Sequence, residues 1–426
     1  MKETFETRKC FEPVNTDAYY DNAKRDILAL NEVLAMVNMS VTDLTAGTSL
    51  MQYKAEIPVT ADLNKIMRLK ANISIALRDD NIRISRKANL LVIEKYIEGR
   101  KIGMREMLTD RFEESDGLTI VLGKDAEGKN VYTDLAKAPH MLVAGMTGSG
   151  KSVFMHNVII SLVERTDTQI IMIDPKMSEY QYYHKKIPQF YLYTDNDEAL
   201  SILQDVCNEM DARYADFAKH GYRDFNDARN HGFNVKPLVV MVDEYADLMS
   251  ATKNKCDPLC VRIAQKARAA GIHLVIATQY PLVRYVSGGI KANIPVRVAF
   301  RVQNGTESRV IIDRMGAEKL NGKGDMLFLG NGATDTIRIK TPYASNDEIE
   351  MFTTAYLYNL RQDQPDIKRI DWRRPELLKQ EKPEVEDDHV VDFLARCIAD
   401  RSRDVGEIME EYRRDKHRQL MRKLGL

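Results

Sequence analysis

The 426-residue sequence has few of the features that would place it in a membrane, outside the cell or on a generic polyanion surface. No apolar run approaches the roughly 18 residues needed to span a bilayer. The first dozen residues, Met1 to Glu12, are charged and lack the apolar core of a secretory leader. Cysteine is scarce and scattered, at positions 10, 207, 256, 260 and 397, which suits a reducing compartment rather than a disulfide framework. The Cys256-x-x-x-Cys260 spacing is metal-like, but no second pair stands near it and His273 is the nearest histidine, so two core thiols are the expectation. The chain is not globally basic: 62 Lys and Arg face 63 Asp and Glu, a net charge of −1. That excludes a broad polycation but not a protein with one basic lining. No internal repeat is present. A cytoplasmic protein without membrane insertion is expected, long enough for two or three domains.

One stretch orders the rest: Gly145-Met146-Thr147-Gly148-Ser149-Gly150-Lys151-Ser152. It fits the phosphate-binding pattern G-x-x-x-x-G-K-[ST], preceded by an apolar strand candidate (Met141–Ala144) and followed by an apolar-periodic helix candidate beginning at Val153. Glycines allow positive φ and close approach, and successive N–H groups then form an anion nest at a helix N-terminus. Lys151 would reach the β- and γ-phosphates of ATP, and the Ser152 hydroxyl would hold Mg²⁺.

Three further features turn nucleotide binding into hydrolysis. Asp243 ends the apolar run Leu238–Val242, where it would hold Mg²⁺ opposite Ser152. Glu244 follows directly, suited to orient and deprotonate the attacking water. Gln279 ends the next apolar run, suited to sense the γ-phosphate or position water. Apolar runs alternate with helical periods from about residue 116 to 360, so this part reads as a P-loop α/β core, a parallel sheet flanked by helices. Before it, residues 1–22 read as a flexible arm and 23–115 as a small α/β unit with one long helix over Ala61–Leu77. After it, 361–389 is a charged, proline-rich linker and 390–426 a helical tail. In Arg413–Lys423, six of eleven residues are Lys or Arg, among them Arg413, Arg414 and Lys416, a candidate phosphate-binding stripe.

The runs Ile173-Asp174-Pro175-Lys176, Asp243–Met249, Ala264–His273, Ile290–Phe300, Gly316–Leu320 and Gly324–Leu327 closely resemble the FtsK/SpoIIIE family of double-stranded DNA translocases. The resemblance is strong over about 117–345 and weaker over 25–112. It implies a RecA-like motor domain over residues 116–360 in a homohexameric ring around duplex DNA, and matches Lys151, Ser152, Asp243, Glu244 and Gln279 to the family's nucleotide positions. It matches Arg268 to an arginine finger reaching a neighbour's ATP, and Lys291 and Arg309 to channel segments that bind DNA phosphates. It makes the tail a candidate reduced winged helix. The sequence departs from the family at Tyr280-Pro281-Leu282, where Arg-Pro is usual, and at Gln303–Glu307, where a basic turn is usual. No membrane anchor precedes the motor in this sequence, which points to a compact member such as one on a phage, plasmid or other mobile element. Two rival readings are a coupling ATPase of DNA transfer acting on single strands, and a nucleotide-gated assembly that binds DNA without processive movement. A small-molecule kinase leaves Glu244 and Arg268 without a role.

Overall fold

A computed structural model describes residues 7–12, 17–47, 50–79, 82–97, 101–109, 117–165, 167–176, 179–363 and 372. The basic stripe at Arg413, Arg414 and Lys416, and the tail that carries it, lie outside the described residues, as does all of the linker after 363 except Trp372.

The N-terminal unit is a four-stranded antiparallel sheet, β1 (Val41–Ala46), β2 (Leu50–Glu56), β3 (Arg83–Lys87) and β4 (Leu90–Tyr96), in the order β1-β2-β4-β3. Helix α1 (Asp17–Leu34) begins inside the stretch read as an arm. Leu30, Tyr53, Ile73, Leu77 and Ile93 fill the core of this unit. The single helix expected over Ala61–Leu77 is two: α2 (Leu63–Arg68) and α3 (Lys70–Leu77). The break falls at Leu69, whose amide reaches back only three residues, to Ile66 O at 3.1 Å. A tighter turn there rotates the stripe, so Ile66, Ile73 and Leu77 are buried while Leu63 is 41% exposed. Cys10 and Phe11, also within the expected arm, are buried in the core of the larger unit.

That larger unit is a ten-stranded sheet: β5 (Thr119–Asp125), β6 (Asn130–Asp134), β7 (His140–Ala144), β8 (Gln169–Ile173), β9 (Phe190–Tyr193), β10 (Leu238–Val242), β11 (Ile272–Thr278), β12 (Val296–Phe300), β13 (Asp325–Leu329) and β14 (Ile337–Lys340). The order is β6-β5-β14-β13-β12-β7-β11-β10-β8-β9. The six strands from β12 to β9 are parallel; β13, β14, β5 and β6 extend the sheet antiparallel. The parallel strands read as unbroken apolar runs because both faces are covered. Met141, Val143, Met172 and Met241 point into one core and Leu142, Ala144, Ile173 and Val242 into the other.

Helix α4 (Lys151–Arg165) lies on the first face with α12 (Asn346–Asp363). Between them in chain order come α5 (Gln181–Lys186), α6 (Asn196–His220), α7 (Phe225–Asn230), α8 (Tyr245–Ala251), α9 (Cys256–Lys266), α10 (Gly288–Asn293) and α11 (Gly305–Ile312). Helices α6, α8, α9, α10 and α11 line the second face, with Cys256 and Cys260 buried one turn apart on α9. Trp372 also packs there, its Nε1 donating to Tyr193 Oη at 3.1 Å.

Strand register makes the site. Ala144 pairs with Thr278 on one side and Ala299 on the other, and Val242 pairs with Ile173 and Ile276. The residues after these strands therefore lie side by side along one edge: the glycine-rich loop, Asp174, Asp243-Glu244, Gln279 and Arg301. Among the described residues no helix is long and apolar enough to cross a membrane.

Candidate functional site: a phosphate loop and its acids

The loop leaves β7 pinned on both flanks. Gly145 N–H donates to Thr278 O at 3.2 Å and Met146 N–H to Arg301 O at 2.9 Å. Gly148 and Gly150 hold φ of +75° and +109°, in the left-handed region. A β-carbon at Gly150 would meet Gly324 N at 2.4 Å, and one at Gly145 would meet Phe300 Cβ at 2.4 Å. A β-carbon at Gly148 meets nothing within 4 Å, so the crest of the loop opens outward. The Ser149 hydroxyl is buried without a hydrogen-bond partner among the described residues. Positive-φ glycines, an open crest and an orphaned hydroxyl fit a phosphate tail. Val153 follows on the first turn of α4.

Lys151 is nearly sealed, and its ammonium pairs with the Asp243 carboxylate (side chains 4% and 12% exposed). The fully buried Tyr180 donates its hydroxyl to the other Asp243 oxygen at 3.1 Å. Burial, with Asp243 beside it, pushes the Tyr180 phenol far up, so it remains a donor. Glu179 lies close by, its Oε2 3.7 Å from His156 Nε2. The His156 imidazole beside it holds its carboxyl below the usual range, with Ser152 and Lys151 acting in the same direction. Ser152 and Asp243 are the residues suited to Mg²⁺: a hydroxyl and a carboxylate flanking the loop, a hard-oxygen donor set.

Glu244 adopts φ +64°, a conformation disfavoured for a side chain of its size, and is 1% exposed. Its Oε1 accepts from Thr278 Oγ1 and from Gln279 N–H, both at 3.0 Å, and Lys176 Nζ stands 3.4 Å from Oε2. Burial pulls the Lys176 ammonium down, but Glu244 and Asp247 outweigh it and leave its pKa above the usual value. The Gln279 side chain turns to the loop, where Thr147 Oγ1 donates to its Oε1 at 2.7 Å. The structure thus brings Gly145 through Ser152, Asp243, Glu244 and Gln279 into one constellation. Sequence reasoning missed Tyr180, Glu179, Thr278 and Lys176 as its supports. Asp174-Pro175-Lys176, polar residues after a buried strand, is the one signal that pointed there.

Arg268 is not in this constellation. It is exposed on the 3₁₀ turn Ala267–Ala270, before β11, whereas Gln279 follows that strand. Seven strand residues separate the two edges, about 23 Å. Arg268 lines a cavity of ≈ 720 Å³ with Phe225, Arg229, Asp224 and His273. Lys291 and Arg309 form a third locality. Lys291 Nζ bonds Asp313 Oδ1 at 2.6 Å, Arg297 pairs with the other Asp313 oxygen, and Arg309 Nη2 lies 3.1 Å from Met315 Sδ.

Residues 105–283 match the FtsK/SpoIIIE family model. The chain is 40% identical over 354 residues to the DNA translocase SftA of Bacillus subtilis, covering 79% of this chain and 37% of that protein. It is 39% identical over 355 residues to the DNA translocase FtsK of Mycobacterium tuberculosis (77% and 43%) and 38% over 336 residues to SpoIIIE of B. subtilis (74% and 43%). It spans about two fifths of the length of these relatives. Among solved structures, the pCW3 conjugation coupling protein TcpA, a monomer with ATPγS, superposes with a TM-score of 0.56 at 22% identity, over 79% of this chain and 99% of that one. The EccC ATPase of Thermomonospora curvata gives 0.52 at 22% identity, over 59% and 34%. Both likenesses concern the fold.

Proposed function

We propose, from the premise that this chain carries an FtsK/SpoIIIE-family domain, that the protein is an ATP-driven double-stranded DNA translocase. It works as a homohexameric ring, in the cytoplasm and in the service of a mobile element or of DNA segregation or transfer. Lys151, the loop amides and Val153 hold ATP; Ser152 and Asp243 hold Mg²⁺, which supplies charge neutralisation on the phosphates when bound. Glu244 accepts the proton of the attacking water, and Gln279 positions that water. Glu244 is held by Thr278, Gln279 and Lys176 beside the loop, so its base is in place before substrate arrives.

The observation that carries the ring is the separation of Arg268 from its own phosphate loop. An exposed arginine on the opposite edge of the sheet serves an ATP only if that ATP belongs to a neighbour. A heterologous contact of one edge with the other generates a ring when its rotation closes, and a finger in trans contributes about 10³–10⁵ in rate. Lys291 and Arg309, with Arg413, Arg414 and Lys416, contact DNA phosphates, so translocation tolerates sequence and weakens with salt.

The test is complementation. Arg268→Ala and Glu244→Gln proteins should each be inactive in DNA-stimulated ATP turnover, and their mixture should regain activity at interfaces pairing one intact finger with one intact base. An Arg268→Ala protein with normal turnover overturns the trans site. Triplex displacement on duplex, and ATPase stimulation by duplex against single strands, test the motor: stimulation by single strands alone overturns the duplex reading.

A further inference from the structure

On the flank of the phosphate loop away from Glu244 stand two cations, Arg301 and Lys323, apart from the constellation of Lys151, Asp243, Glu244 and Gln279. Arg301 follows β12, and its backbone carbonyl accepts the Met146 N–H. Its side chain is exposed, and its Cδ lies against Gly322, at 3.9 Å from where a β-carbon would stand. That same point is 3.9 Å from Gly148 O, at the crest of the loop. Lys323 is next in the chain. Residues 322 to 324 hold φ of +77°, +50° and +90°, three left-handed residues in succession. Gly324 N–H closes onto Ser149 O at 2.7 Å, and Lys340 Nζ holds Lys323 O at 2.6 Å. This strap is thus bonded to the phosphate loop itself, and the absent β-carbon of Gly150 is what lets it approach.

Lysine is a poor choice for a left-handed position between two glycines, so conformation alone does not account for it. The charges on the other flank are all matched: Lys151 by Asp243, and Lys176 by Glu244 and Asp247. Among the described residues neither Arg301 nor Lys323 has an acidic partner. Two uncompensated cations at the rim of an anion nest leave that rim positive on one side.

We propose that Arg301 and Lys323 bind the phosphate tail of the nucleotide held by their own subunit's loop, a cis clamp on the flank opposite the hydrolytic glutamate. The inference rests on the reading of the loop as an ATP site, and the experiment separates the two. Binding of a fluorescent ATP analogue is measured for the wild type and for Lys151→Met, Arg301→Gln, Arg301→Lys and Lys323→Gly. Arg301→Gln and Lys323→Gly should each weaken binding about five- to thirtyfold, and Arg301→Lys should keep most of the affinity. Lys323→Gly relieves the left-handed lysine, so its melting temperature should stay at or above that of the wild type while its affinity falls. A role in holding the strap's shape alone would not give that combination. Wild-type affinity in Arg301→Gln and Lys323→Gly, or equal weakening in Arg301→Lys and Arg301→Gln, overturns the clamp. Absence of saturable binding in the wild type overturns the ATP reading instead.

Discussion

The Lys151–Asp243 pair gives the most demanding test of the site before any nucleotide arrives. Both side chains are nearly out of solvent, at 4% and 12% exposure. Removing one partner of such a pair strands a charge and costs about 3–5 kcal/mol. Tyr180 would still donate to Asp243, which places Lys151→Met near the lower limit, about 3 kcal/mol. Asp243→Asn leaves an unpaired ammonium with no other acid bonded to it in the described structure and should cost as much. The double variant strands nothing, so it should lose far less than the sum, with a coupling of about 2–3 kcal/mol. Urea unfolding of nucleotide-free protein measures this: at a slope of about 3 kcal/mol per molar, each single variant should lower the midpoint by about 1 M. Strict additivity, with coupling below about 0.5 kcal/mol, would refute the pairing. The same pair competes with phosphate for Lys151. In EDTA, Asp243→Asn should therefore bind ATP about tenfold more tightly than wild type, a gain of about 1.4 kcal/mol, and an unchanged affinity would show that the lysine is not held back.

Three other outcomes follow from named contacts. Gly150→Ala should abolish nucleotide binding and lower the melting temperature, because its β-carbon would strike the Gly324 backbone at 2.4 Å; Gly148→Ala meets open space and should cost only the left-handed penalty of about 1–2 kcal/mol. Differential scanning fluorimetry with and without ATP separates them. Burial pushes His140 down to about 3 and His273 to about 4, so both fold neutral, while the unfolded chain takes up protons below about pH 6.5. Their contribution is complete above pH 6.5 and is lost as pH falls towards those values, about 1.4 kcal/mol per histidine at pH 5.5; a His140→Asn, His273→Asn variant should show a flatter loss of stability between pH 7 and 5. Asp313 holds both Lys291 and Arg297, so Asp313→Asn, which tolerates its φ of +58°, should tighten duplex binding at low salt if Lys291 meets DNA phosphate. Weaker or equal binding would remove Lys291 from the DNA surface.

Much of the fold was legible because its strands are buried on both faces. Runs such as Leu238–Val242 and Ile272–Thr278 carry no alternation and end in polar residues, and a parallel sheet leaves few other ways to place them. The antiparallel extension was harder. Ile337–Lys340 is short and half exposed, and only its pairing with β13 and the end of β5 makes it a strand. The break in the helix over Ala61–Leu77 was hidden for a related reason. The apolar period continues through Leu69, and a single three-residue turn changes which side chains it buries without changing the pattern.

The site divides along the same line. Residues within a contiguous motif could be read, because strand–loop–helix context fixes where they go: Lys151, Asp243, Glu244 and Gln279 stand together as their strand ends require. Residues that act by arriving from elsewhere could not. Tyr180 and Lys176 come from the turn after β8, Arg301 from the end of β12 and Lys323 from the approach to β13. Only Lys176, in the polar run after β8, carries a sequence signal; the others have no spacing that marks them and are recognised only when register sets strand ends level along the sheet. Arg268 shows the converse. Its place on the far edge looks like a misfit within one subunit, yet that distance makes its role testable. A finger serving its own loop would have to cross about 23 Å of sheet. In a mixture of Arg268→Ala and Glu244→Gln subunits, a neighbour's finger restores turnover, whereas a purely structural arginine restores none.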